Sequence, residues 1–91
     1  MVDWQKALFE LSDTRILFYL KEKKAARYYE LSDHVIENRS TLATSLKGLQ
    51  AAGLIERKVK DTRPIRTEYR LTPKGERFVE SLLVSKKILG L

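Results

Sequence analysis

The chain has 91 residues and a mass of 10.6 kDa, which suffices for one small domain but not for two independent cores or a large enclosed active site. Its 43% hydrophobic and 33% charged residues are typical of a folded protein in water. Eighteen Lys and Arg against twelve Asp and Glu give a formal net charge of +6, as expected of proteins that meet nucleic acid or anionic membranes.

Several classes of protein are disfavoured by residues that the sequence lacks. It contains no cysteine and one histidine, His34, so it offers no disulfide framework, thiol nucleophile or two-histidine metal site. No Gly-rich phosphate loop is present, and we expect neither a cofactor nor enzymatic activity. No apolar stretch approaches the roughly 20 residues of a membrane helix, and residues 1–6 lack the layout of a signal peptide. We therefore expect a cytoplasmic protein that does not bind membranes.

The first third of the chain is predicted to form three helices. Apolar residues at i, i+3, i+4 and i+7 indicate an amphipathic helix over residues 3–11. Ser12 is the expected N-cap of a second helix, which places acidic charge in its first turn. A short extended connector at 25–27 then leads to a third helix over 28–36.

A fourth helix is predicted over residues 40–52, with Ser40 as its N-cap. Its buried face is expected to consist of Leu42, Leu46 and Leu49. Gly53 suits the left-handed position that ends a helix.

After residue 53 the pattern changes from helical spacing to the two-residue alternation of β-strands, which predicts a β-hairpin. Residues 54–60 alternate as expected of a strand with one wet face, 61–64 form the turn, and 65–71 return. Thr72 followed by Pro73 is the preferred opening of a helix, which predicts the last helix of the chain.

This order of elements predicts a winged helix-turn-helix, since two helices joined by a short turn precede a hairpin. The predicted fold class is α+β, mainly α, with a three-helix core, a β-hairpin wing and extra terminal helices in a single domain over residues 1–91. A generic pair of helices beside a hairpin would show the same order.

The predicted helix 40–52 has the composition of a surface that enters the major groove of DNA. It contains no Asp or Glu, and short hydroxyl side chains can reach base edges or phosphates without repelling the backbone. The candidate DNA-binding residues on and beside this helix are Arg39, Ser40, Thr41, Thr44, Ser45 and Lys47. A neutral Ser/Thr-rich surface without function is the alternative.

The predicted hairpin carries most of the excess charge. Residues 57–70 include six basic and two acidic residues, a net charge of +4. A projecting basic hairpin suits a phosphate backbone or a minor groove, and the candidate wing residues are Lys58, Lys60, Arg63 and Arg66. Basic residues that protect an edge strand from aggregation are the alternative.

Three stretches resemble the winged helix-turn-helix transcriptional regulators, most closely the HxlR-type and MarR-type groups. They are RYYEL at 27–31, LKGLQAAGLIER at 46–57 and EYRLTPKG at 68–75. The resemblance spans residues 14–83 and implies a recognition helix at 40–50, a wing tip at 60–66 and a homodimer joined through terminal helices. HxlR-type members commonly carry a cysteine near the N-terminus, which this sequence lacks, so cysteine-based sensing is not implied.

The terminal helices independently suggest a dimer, because they offer more apolar residues than one small core absorbs. The candidate interface residues are Trp4, Leu8, Phe78, Leu82, Leu83 and Ile88. Packing of the two terminal helices on each other within one chain is the alternative.

Together these features predict a homodimeric transcriptional regulator that binds specific sequences of double-stranded DNA. A winged-helix module that binds protein or RNA is the alternative. A membrane-surface protein fits less well, because its basic residues should line an amphipathic helix rather than a hairpin.

Overall fold

The computed structural model describes residues 4–61 and 63–91, which form five helices and a three-stranded antiparallel sheet. The helices are α1 (Trp4–Phe9), α2 (Ser12–Lys23), α3 (Tyr28–His34), α4 (Arg39–Ala51) and α5 (Pro73–Ile88). The strands are β1 (Ala26–Arg27), β2 (Ile55–Lys60) and β3 (Arg66–Leu71), in the order β1-β3-β2. A short turn joins α3 to α4 and a hairpin follows, so the predicted winged helix-turn-helix is confirmed. Part of the predicted turn, Thr62, lies outside the described residues.

Helices α1 and α3 are shorter than predicted. Helix α1 ends at Phe9 instead of residue 11, and the predicted start at residue 3 lies outside the described residues. Helix α3 ends at His34 because the N–H groups of Val35 and Ile36 both donate to the carbonyl of Leu31, at 3.0 and 2.9 Å. These two bonds close the helix and turn both apolar side chains into the core.

Two predicted helix caps were wrong. Asn38, not Ser40, caps α4, because its side-chain Oδ1 accepts a hydrogen bond of 3.0 Å from the Thr41 N–H. Ser12 is the first residue of α2, after Leu11 at the cap position, and makes no capping bond. In contrast, Thr72 caps α5 as predicted, with Pro73 at the first helical position.

The predicted extended connector is strand β1 of the sheet. Ala26 lies opposite Tyr69 and Arg27 lies opposite Glu68, so β3 is the central strand between β1 and β2. This pairing attaches the start of α3 to the wing.

The core lies between the helices and one face of the sheet. Its buried members are Ile16, Leu17, Leu20, Ala26, Leu31, Val35, Ile36, Leu42, Leu46, Leu49, Ile55, Tyr69, Leu71 and Val79. At its edge, Lys21 on α2 donates a hydrogen bond of 2.6 Å to Glu76 on α5. This hydrogen bond raises the pKa of Lys21 above its ordinary value. The bond links α5 to α2 at the surface.

A tight corner joins the end of α4 to the start of α5. Gly53 ends α4 with a φ of 75°, in the left-handed region that favours glycine. The Thr72 hydroxyl donates to the Gly53 carbonyl at 2.6 Å, and the Thr72 N–H donates to the Leu54 carbonyl at 3.0 Å. Gly75 packs so closely on Leu54 that a Cβ atom there would collide with the Leu54 carbonyl group.

We expect Gly75→Ala to lower the free energy of unfolding by at least about 2 kcal/mol, because backbone at Leu54 must move to admit the methyl group. Gly48→Ala is the matched control, since nothing lies within 4 Å of a Cβ at this exposed position of α4. It should instead raise stability by about 0.5 to 1 kcal/mol. Urea unfolding followed by circular dichroism measures both, and equal effects would contradict the close packing of Gly75.

Candidate nucleic-acid interface

Helix α4 exposes a stripe without negative charge. Ser40, Thr44 and Lys47 follow the i, i+4, i+7 spacing and are exposed, whereas the opposite face is buried in the core. The whole helix, RSTLATSLKGLQA, contains no Asp or Glu. The stripe therefore offers hydroxyl groups and an ammonium group to a polyanion, without a carboxylate to repel it.

The start of α4 is fixed from two sides. Asn38 caps the helix, and the Tyr28 hydroxyl on α3 donates a hydrogen bond of 3.3 Å to the Arg39 carbonyl. The side chains of Arg39 and Thr41 are exposed at this end. Both predicted residues therefore lie beside Ser40, on a helix end that α3 holds in place.

Ser45 does not belong to this surface, so its prediction as an exposed DNA-binding residue was wrong. Its side chain is buried, with 7% of the residue exposed, and its hydroxyl shares a hydrogen bond of 3.1 Å with the Ser12 hydroxyl. The spacing places Ser45 at the edge of the leucine face, three residues after Leu42 and four before Leu49, and α2 covers this edge. The same bond explains why Ser12 does not cap α2.

The two faces of the sheet differ in charge. Residues directly opposite each other in an antiparallel pair share a face, so the register assigns each side chain to one side. The inner sheet face, which includes the buried strand residues, consists of Ala26, Ile55, Arg57, Val59, Thr67, Tyr69 and Leu71. The outer sheet face consists of Arg27, Glu56, Lys58, Lys60, Arg66, Glu68 and Arg70.

The predicted wing cations are all exposed, but they lie in two places. Lys58, Lys60 and Arg66 belong to the outer sheet face, and Arg63 lies in the connection between the strands. Lys60 is directly opposite Arg66 at the end of the ladder. This arrangement places two positive charges side by side next to the tip of the wing.

Arg57 belongs to the predicted basic wing, residues 57–70, but was not among its named candidate residues. It is exposed on the inner sheet face and borders a groove of about 310 Å³ between α3, α4 and the sheet. Lys47 of α4 borders the same groove, as do the side chains of Tyr28, Gln50 and Tyr69. The alternation of side chains along β2 could have predicted this position, because Arg57 follows Ile55 by two residues and therefore lies on the same face of the sheet.

Large apolar side chains stay exposed on and next to the terminal helices. They include the predicted residues Trp4, Leu8, Phe78, Leu83 and Ile88, together with Leu11, Val84 and Leu91. Leu82, also predicted, is partly buried against the core. Phe9 is the exception on α1, since it is buried and its ring stacks on Phe18 with centroids 6.2 Å apart. Leu8 and Leu11 border a groove of about 400 Å³ together with Phe78 and Leu82.

The described residues show no grouping of three or more histidine and carboxylate side chains that could hold a metal ion. Within the same part of the chain, every helix is too short or too polar to cross a membrane.

Structural comparisons place the fold among winged helix-turn-helix regulators. The chain is similar to the reduced form of the transcriptional regulator YodB from B. subtilis, with 23% identity, a TM-score of 0.76 and coverage of 96% of this chain and 89% of that one. A PadR family transcription regulator from Clostridium difficile R20291 matches with 25% identity, a TM-score of 0.75 and coverage of 87% and 90%. A MarR family regulator from Silicibacter pomeroyi matches with 31% identity, a TM-score of 0.73 and coverage of 86% and 52%.

The sequence also matches a family model, described as HxlR-like helix-turn-helix, over residues 12–88. The chain therefore belongs to the HxlR-like helix-turn-helix family, which confirms the predicted resemblance. Comparison with curated proteins found no match. Family membership and the regulators among the structural relatives support a DNA-binding transcriptional regulator of the helix-turn-helix type.

Thr44 and Ser45 are neighbours that should respond differently to substitution by alanine. Thr44→Ala removes a hydroxyl from the exposed stripe, and we expect it to change discrimination between DNA sites by about 1 to 3 kcal/mol. Ser45→Ala removes the buried bond to Ser12, and we expect it to lower stability by about 1 kcal/mol while site preference stays unchanged. Competition binding with a panel of duplexes and thermal unfolding measure the two effects. Altered site preference in Ser45→Ala alone would contradict the assignment of the two faces of α4.

Proposed function

We propose that this protein is a homodimeric regulator that binds specific double-stranded DNA, with α4 in the major groove and the wing on the phosphate backbone or in the minor groove. In this proposal the described elements act as a single winged-helix domain, and α1 and α5 join the two copies. No step of this function requires a cofactor or an enzymatic reaction.

The observation that carries the proposal is the continuous surface without carboxylates on α4. Ser40, Thr44 and Lys47 point away from the core, and the groove beside them adds the cation Arg57. A solvated helix face usually mixes both charges, whereas a surface that approaches phosphates benefits from excluding acids. Hydroxyl groups on this stripe are short enough to reach base edges once the helix lies in the groove.

The wing supports the proposal through a pair of like charges next to its tip. Lys60 and Arg66 are direct cross-strand neighbours, and like charges in this arrangement destabilise a sheet. A phosphate group bound between them would relieve the repulsion. Arg63 lies beyond this pair in the connection and can extend the contact along the backbone.

The homodimer is supported by the apolar surface of the terminal helices. Large hydrophobic side chains that stay exposed together in a small protein are typical of an interaction surface. In this chain they lie on or next to α1 and α5 and not on the polar stripe of α4, so a second copy can cover them while that stripe stays exposed. A two-fold dimer would present its α4 helices about 34 Å apart, one turn of B-DNA.

The decisive test is selection of bound sequences from a random duplex pool by the purified protein. We expect an enriched motif with two-fold symmetry and half-sites separated by about one helical turn. Salt titration of the affinity for the selected duplex should give a steep dependence. Recovery of no motif, together with affinity for duplex DNA that does not depend on salt, would contradict the proposal in favour of a protein-interaction module.

Arg63→Ala and Arg66→Ala should each weaken binding to selected and unrelated duplexes by a similar factor, because phosphate contacts carry no sequence information. Each variant should also reduce the slope of log affinity against log salt by about one. Fluorescence anisotropy at several salt concentrations measures both quantities.

Lys23→Ala is the control for these variants, since it removes the same unit of charge from an exposed residue in the last turn of α2. It should leave the salt slope unchanged. If all three variants change the slope equally, the wing makes no specific phosphate contact and only net charge matters. If an arginine variant also loses preference for A·T-rich sites, that arginine lies in the minor groove.

Phe78→Glu should weaken the dimer at least tenfold, because it places a charge in the proposed apolar interface. Sedimentation velocity over a range of concentrations measures the dissociation constant. Val59→Glu introduces the same charge at an exposed apolar residue of the wing and should leave self-association unchanged. A wild-type chain that stays monomeric at high concentration would contradict the proposed homodimer.

A further inference from the structure

Glu68 is an acidic residue at the centre of the basic outer sheet face. It lies on the central strand β3, directly opposite Lys58 on β2 and Arg27 on β1. Its carboxylate oxygen Oε2 is 3.2 Å from Nζ of Lys60 and 3.9 Å from a terminal nitrogen of Arg70. One carboxylate therefore contacts two cations and shares a face with three more.

The carboxylate is held in place more firmly than the cations around it. The Glu68 side chain is 17% exposed, whereas those of Lys60 and Arg70 are 48% and 35% exposed. Strand pairing on both sides fixes the backbone of Glu68. A long lysine side chain can leave this ion pair for another anion, whereas the shorter and less exposed side chain of Glu68 has less freedom to follow it.

Lys60 is also the residue that a phosphate at the wing would contact. It ends β2 opposite Arg66, next to the tip. A carboxylate and a phosphate are both oxyanions, and a single ammonium group that approaches one gives up part of its attraction to the other. The two anions therefore compete for Lys60.

We propose that Glu68 is a positioning residue that lowers the affinity of the wing for DNA phosphates by binding Lys60 and Arg70. This inference rests on the DNA binding proposed above and adds a residue that opposes it. In the free protein Glu68 occupies the place of a phosphate and reduces the repulsion within the basic face. On DNA, Lys60 exchanges the carboxylate for a phosphate, and the loss of the internal ion pair reduces the net gain.

This role affects all DNA sequences alike. In this proposal Lys60 contacts the phosphate backbone and not base edges, so its release from Glu68 changes affinity without changing discrimination. An internal anion of this kind restrains binding to bulk DNA, where electrostatic contacts supply essentially all of the affinity.

Glu68→Gln keeps the size of the side chain and removes its charge. We expect it to raise affinity for selected and unrelated duplexes alike by about two- to fivefold at moderate salt. The salt slope should become steeper by up to about one, because the variant removes a negative charge that stays beside the bound phosphates in the wild type. Glu22→Gln on α2 is the control, because it changes the net charge equally at an exposed residue outside the wing.

A double-mutant cycle with Lys60→Met tests whether the effect passes through Lys60. We expect Glu68→Gln to raise affinity clearly less in the Lys60→Met background than in the wild type. Glu68→Asp provides a second variant in case Glu68→Gln fails to fold. It keeps the net charge but shortens the reach of the carboxylate, so it should also raise affinity, whereas a pure net-charge effect predicts no change.

The outcomes separate this inference from the function on which it rests. If the wild type binds no duplex DNA even at low salt, the proposed function fails. If the wild type binds DNA and Glu68→Gln changes affinity and slope no more than Glu22→Gln does, Glu68 has no such role. Full additivity with Lys60→Met would equally overturn the inference, as would a change in site preference in Glu68→Gln.

Discussion

The corner between α4 and α5 is the constraint on which the arrangement of the surface elements depends. Thr72 bonds to the backbone at Gly53 and Leu54, and Gly75 leaves no room for a side chain against Leu54. The next residue, Ile55, opens the hairpin ladder by pairing with Leu71, which directly precedes Thr72. The end of α4, the base of the wing and the start of α5 are therefore fixed by one small set of backbone contacts. Movement of α5 cannot leave the other two elements in place.

The net charge of the wing does not show how its charged residues are distributed between the two faces of the sheet. The register divides the cations of the hairpin between two faces, and the outer sheet face also carries Glu56 and Glu68. Arg57 alone among the cations of β2 and β3 shares the face that borders α4. A net charge of +4 over residues 57–70 therefore combines a partly neutralised surface with one cation beside the candidate recognition helix. Alternate residues of a strand lie on opposite faces of the sheet, so the position of a residue in its strand decides which surface it can contribute to.

The order of elements could be predicted from the sequence because each boundary depends on local chemistry. Gly53 ends α4 and Thr72 opens α5 through bonds to near neighbours in the chain, and the structure confirms both. The wrong predictions arose where a side chain has both a local and a distant hydrogen-bond partner available. The Ser12 hydroxyl bonds to Ser45, 33 residues away, instead of capping its own helix, and no local pattern contains that contact. The pairing of β1 with β3 likewise depends on contacts between residues distant in sequence.

The candidate site could be predicted less completely than the fold. The exposure of a residue on α4 depends on the elements that pack on either side of the helix, and not only on the positions of its leucines. Leu42, Leu46 and Leu49 indicated the centre of the buried face of α4, but α2 extends that face to Ser45. On the same side, the apolar groove bordered by α1 and α5 reaches Gly48 in the C-terminal half of α4 and Ala52 directly after the helix. A second copy that covers this groove would therefore press directly on the helix proposed to read DNA. In such a dimer the spacing of the two α4 helices would be set by side-chain packing against α4 itself, so the interface and the DNA site would respond to the same displacement.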